Sequence, residues 1–135
     1  MERHMTFDDD AGMGYIYLTE PLKHHTITKT DELPLNESIV LDFGKGIPII
    51  GIELEGETAL KIKGLADEMP TFTKGTTADG ESYYSLRLND ELVKRSVTHP
   101  DAKKIVFLFS DPDCREFIGI DIYDTKSYDE SFLIG

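Results

Sequence analysis

Two stretches decide the fold: Ser38-Ile39-Val40-Leu41, followed after a turn by Ile49-Ile50-Gly51-Ile52-Glu53-Leu54, and their echo further along the chain. The echo is Lys104-Ile105-Val106-Phe107, then Phe117-Ile118-Gly119-Ile120-Asp121-Ile122. Upstream, Tyr15-Ile16-Tyr17-Leu18 with Thr26-Ile27-Thr28 returns as Ser85-Leu86-Arg87-Leu88 with Ser96-Val97-Thr98. The offset drifts over about 65–70 residues, as expected for a diverged duplication with loop insertions, and it is too long for a solenoid repeat.

Each apolar run is short, β-rich and bounded by turn residues, so each reads as a strand. Gly44-Lys45-Gly46 joins the first pair and Ser110-Asp111-Pro112-Asp113-Cys114 the second, which predicts two β-hairpins. Thr6-Phe7 and Thr71-Phe72-Thr73 read as short leading strands, and Asp8-Asp9-Asp10-Ala11-Gly12 as a polar turn. Residues 57–69 hold the one candidate helix: Ala59, Ile62, Ala66 and Met69 fall at helical spacing. Gly64 and the Leu60/Ile62 alternation also suit a strand, and Pro70 ends the segment either way.

A chain of 135 residues buries roughly 68% of its extended surface as one domain, whereas half of it alone is marginal. The expected architecture is therefore α+β and mainly β. Two pseudo-twofold-related antiparallel meanders, 5–69 and 70–135, share one core within a compact domain spanning 5–135, with one helix between them. No Gly/Pro/Ser-rich linker separates the halves.

Composition narrows function more than it names one. Hydrophobic residues make up 39% and charged residues 30%, an ordinary globular balance. Asp plus Glu number 26 against 14 Lys plus Arg, a net charge of −12. Without a basic stripe to displace counterions, direct nucleic-acid binding is not expected. Cys114 is the sole cysteine, so no internal disulfide forms. Met1-Glu2-Arg3-His4-Met5 lacks a signal-peptide core and no apolar run reaches membrane-spanning length, so a cytoplasmic protein is expected; Met5 is an alternative start.

The first half resembles the YuzE-like domains of unknown function. The resemblance rests on Phe7-Asp8, Tyr15 to Leu18, Ile39-Val40-Leu41-Asp42 and Ile49 to Glu53, in that order and spacing. The second half is degenerate: Thr73 stands for Asp8, Ser85 for Tyr15 and Leu108 for Asp42, while Gly119-Ile120-Asp121 is kept. The resemblance implies a small β-rich bacterial and archaeal protein, usually single-copy and about half this length. It implies no established activity, and an association with small toxin-like proteins that suggests an antitoxin-like role.

The candidate site residues are Glu53, Asp121, Asp42, Tyr15 and Tyr17. Pseudo-twofold packing would bring the equivalent acids Glu53 and Asp121 together to share a proton or hold a cation. Strand alternation instead turns each acid to solvent, opposite Ile52 or Ile120. Gly51 and Gly119 are structural glycines, marking a bulge or a close approach. The Asp8 turn lacks a bidentate acid at Thr19, His24 and His25 face opposite sides of a strand, and no metal or other cofactor is expected. Cys114 lacks a neighbouring base and reads as an idle surface thiol. The function expected is a non-enzymatic protein-interaction module, with a basic toxin-like protein as partner. The alternative is a small-molecule or cation-binding domain with a carboxylate-lined cleft between the repeats. The apolar tail Phe132-Leu133-Ile134 is expected to fold back or to dock as a strand on a neighbour, giving a homodimer.

Overall fold

The computed structural model describes residues 4–20, 25–68 and 70–134. The first half forms β1 (Met5–Asp8), β2 (Met13–Tyr17), β3 (Ile27–Leu33), β4 (Asn36–Gly44) and β5 (Ile49–Glu55). Helix α1 (Gly56–Lys63) and a 3-10 turn at Leu65–Glu68 follow. The second half forms β6 (Thr73–Thr76), β7 (Ser82–Arg87), β8 (Arg95–His99), β9 (Ala102–Phe109) and β10 (Phe117–Ile122). A second 3-10 turn at Thr125–Ser127 leads into α2 (Glu130–Ile134).

Each half closes its own five-stranded antiparallel sheet, ordered β1-β2-β5-β4-β3 and β6-β7-β10-β9-β8. The order is the same in both. Each sheet is a three-stranded meander to which the leading hairpin adds on the far side, beside the meander's last strand. Ile16, Ile52 and Leu41 stand abreast in the first sheet, and Leu86, Ile120 and Phe107 in the second. All six are buried and belong to one apolar cluster drawn from both sheets. Period-two alternation puts these residues inward and their strand neighbours outward.

Residues 56–63 are helical, which settles the alternation at Leu60 and Ile62. Leu60 is exposed and Ile62 buried, as a helix requires of positions two apart; a strand would put both on one face. Ile62 packs where β2 has Gly14, whose missing Cβ leaves room for it. Met69 and His24 lie outside the described residues.

Three sequence expectations are corrected. The leading strand of the second half lies at Thr73–Thr76, after Phe72, whose ring is fully buried. The tail is helical, and Phe132 and Leu133 are buried against their own chain. Asp129 explains this: its carboxylate accepts from the backbone N–H and the hydroxyl of Ser131, and its carbonyl accepts from Phe132 and Leu133. That is an N-cap, which starts a helix and removes the strand the tail was expected to lend to a neighbour. Cys114 is fully buried, not a surface thiol. The Asp111 carboxylate gathers the N–H groups of Arg115 and Glu116, folding the turn over it, and burial pushes the thiol pKa up.

Candidate functional site

The outward face of the first sheet carries a polar array. On β2, Tyr15 and Tyr17 alternate with the inward Gly14 and Ile16. Tyr15 lies opposite Glu53, Tyr17 opposite Gly51, Gly51 opposite Asp42, and Asp42 opposite Thr30. The Tyr15 ring leans across Gly51, where any Cβ would overlap its hydroxyl and ring. The close approach lets Tyr15 Oη donate to Asp42 Oδ2 at 2.9 Å. Thr30 Oγ1 donates to the other carboxylate oxygen at 2.8 Å. Tyr17 stacks obliquely on Tyr15, with ring centroids 4.6 Å apart.

Asp42 is thus a buried carboxylate held by two hydroxyl donors. Glu53 stands beside it, and burial together with the charge and hydrogen bonding of Asp42 raises its pKa above the usual carboxylate range. The Tyr15 phenol is pushed far up, by burial first and then by Asp42, so it acts as a donor and stays neutral. A shallow depression of about 250 Å³ borders Tyr15 and Glu53, with Phe7 and Met13 on its wall.

Asp121 sits elsewhere. It lies on the outward face of the second sheet, opposite Ser85, and Arg87 grips it with N–O distances of 2.7 and 3.4 Å. Glu53 and Asp121 therefore do not meet between the halves: each points away from the core that joins the sheets. Arg87 stands where the first sheet has Tyr17, and Leu108 where it has Asp42, both opposite a strand glycine. The second sheet neutralises its acid with a guanidinium; the first pairs one acid with another.

A cleft of about 1190 Å³ does run between the halves, and its carboxylates are others: Asp31, Glu32, Glu37, Glu57, Asp101 and Asp113. Inside it, buried His99 on β8 bridges the sheets. Its Nδ1 accepts from the Asp101 backbone N–H at 3.0 Å, so Nε2 carries the proton and donates to Asp31 Oδ2 at 2.7 Å. That bond holds Asp31 below the usual carboxylate range, and an ion pair with Lys29 does the same for Asp101. Sequence reasoning missed this bridge because its partners come from different sheets, and no local spacing announces them. Thr30 and Arg87 were also missed, although strand register places both beside the acids they serve. Among the described residues, no group of three or more His, Cys, Asp or Glu is placed to hold a metal ion, and no helix is long and apolar enough to cross a membrane.

Two like-ordered sheets, one bearing a Tyr-Asp-Glu array, make this a small mainly β protein, and by sequence the chain belongs to the YuzE-like family. It is 30% identical over 129 residues to the uncharacterized protein YuzE of Bacillus subtilis (strain 168), a match covering 96% of this chain and 93% of that one. The likeness spans both halves, so this relative is about as long as the present chain. No family model matches the chain, and no solved structure matches it significantly.

Proposed function

We propose that the protein is a non-enzymatic binding module that receives a basic polypeptide in the cleft between its halves, an antitoxin-like role in the cytoplasm. The observation that carries this reading is the cleft wall. Carboxylates from β3, β4, α1 and two turns of the second half line one opening, in a chain of net charge −12. Asp31 and Asp101, held low by His99 and Lys29, keep their charge under mildly acidic conditions. A field of that sign steers and orients a cationic partner. Strand β3 runs along the cleft at the edge of its sheet, exposed from Ile27 to Glu32, and offers backbone for strand addition. Binding rather than turnover is favoured because both His99 nitrogens are engaged and the Cys114 thiol is buried with its pKa raised.

The test is calorimetric titration with a short Lys/Arg-rich peptide. Saturable binding that weakens with salt is expected, falling about tenfold in an E32Q/E37Q/E57Q variant. Equal affinity in that variant, or no binding by the wild type, would sink the reading. The alternative, a small-molecule or cation site, is favoured by one observation, the adjacent carboxyls of Asp42 and Glu53. Thermal stabilisation by calcium or magnesium that E53Q abolishes would support it.

A further inference from the structure

We propose that His4 is an imidazolium clasp, fastening the C-terminal helix and the segment between the halves to the first sheet and releasing them when it loses a proton. The ring is buried, and both its nitrogens face backbone carbonyls: Nε2 lies 2.6 Å from the oxygen of Phe132 and Nδ1 3.0 Å from that of Pro70. A carbonyl oxygen only accepts. A neutral imidazole has one N–H and one bare nitrogen, so one of the two contacts would set lone pair against lone pair away from water. Both are satisfied together only by the doubly protonated ring. Phe72 and Phe132 close its sides at steep angles, with centroids 5.8 and 4.6 Å away.

The contrast with His99 sharpens the point. There one nitrogen meets a carboxylate and the other an N–H, so a neutral ring satisfies both. The two buried histidines differ in what their neighbours demand, and His4 is the one whose neighbours demand charge.

Three parts of the chain meet at this ring. The His4 carbonyl accepts from Tyr17 N–H at 2.7 Å, anchoring it to β2. Pro70 belongs to the segment joining the halves. Phe132 belongs to α2, where late helical carbonyls lack partners of their own. Beside them Phe72 N–H donates to the Leu133 carbonyl at 3.0 Å, so its protection reports whether α2 is docked. Among the described residues, the ionisable groups on the surrounding elements include Asp8, Asp9, Asp10, Tyr15 and Tyr17 on the hairpin, with Glu68, Lys74, Asp129 and Glu130. Glu130 is taken by Lys74 and Tyr84, and the Asp129 carboxylate by Ser131. The ring nitrogens are directed at the two carbonyls instead. Release would uncover Phe132, Leu133 and Phe72, an apolar patch hidden while the clasp is closed.

The experiment follows the His4 ring nitrogens and the Phe72 amide together by NMR, from about pH 6 to about pH 9, a range spanning the ordinary histidine titration. The expected result is a ring with both nitrogens protonated at the lower end. Exchange protection at Phe72, corrected for intrinsic rates, should fall with ring deprotonation by up to about tenfold per pH unit, the slope for one linked proton. In His4→Gln the protection should be low and flat. A singly protonated ring at about pH 6 with Phe72 protected, or protection that stays constant while the ring titrates, overturns the proposal. If the variant does not fold, the wild-type titration decides alone.

Discussion

Tyr15 reaches Asp42 across the bare backbone of Gly51, with 2.9 Å between hydroxyl and carboxylate. The second sheet repeats the device with other chemistry, Arg87 lying over Gly119 to hold Asp121. In both sheets a glycine makes the path by which a long side chain crosses to an acid.

The two glycines should differ in what they tolerate. A methyl at Gly51 meets the Tyr15 side chain, which can swing out; a methyl at Gly119 meets the backbone carbonyl of Leu86, which cannot. Gly51→Ala should cost about 1–2 kcal/mol, close to Tyr15→Phe, because both remove one hydrogen bond to Asp42. Gly119→Ala should cost about 2–4 kcal/mol. Urea denaturation of the three variants checks the order, and equal costs at the two glycines would contradict it.

Glu53 should weaken the fold as pH rises. Its folded pKa is raised, so between the usual carboxylate range and that raised value the native state holds more protons than the unfolded one. Stability then falls with increasing pH across that window. Glu53→Gln should melt higher than wild type at neutral pH, and the difference should shrink as pH drops toward about 3, where unfolded and folded glutamate are both protonated. Thermal melts at several pH values test the sign.

Asp31 carries the opposite sign. Its pKa is lowered by the His99 bond and by the backbone N–H of Glu32, so its contribution is present above the usual carboxylate range and lost as pH falls through the lowered value. Asp31→Asn should melt lower than wild type at neutral pH, with the two curves converging in strong acid. Parallel curves would mean that the bridge to His99 contributes nothing.

Tyr128 ties the second half's tail to the first sheet. Its hydroxyl donates to the Ile49 carbonyl at 2.7 Å and accepts from the Ile49 N–H at 3.0 Å. Tyr128→Phe leaves both buried backbone groups without that partner and should cost about 2 kcal/mol. The same substitution at Tyr84, whose hydroxyl reaches only the exposed Glu130, should cost well under about 1 kcal/mol.

What the sequence made legible follows from what is periodic. Ile39-Val40-Leu41 and Ile49 to Leu54, with their echo at 105–107 and 117–122, announced the paired meanders because alternation and turn residues act locally. Tyr15, Tyr17 and Glu53 share a face for the same reason. Asp42 joins them through register, which depends on how β4 bulges beside Phe43 and cannot be read from β4 alone. The separation of Glu53 from Asp121 depends on which faces of the two sheets turn inward together. The tail was misread because Phe132-Leu133-Ile134 has no period of its own, and a single carboxylate at Asp129 turns it helical.

Among the described residues every strand pair lies within one half, so none of these hydrogen-bond ladders waits for residues from the other. As the chain leaves the ribosome, the first sheet can finish its pairing while the second is still being made. It does so with the core-facing side of Ile16, Leu41 and Ile52 still uncovered, a sticky intermediate whose lifetime is set by the speed of translation. The five-residue helix Glu130–Ile134, made after both sheets, seats on His4, made before either. A chain truncated before Phe132 and released should therefore hold two formed sheets and an open seam.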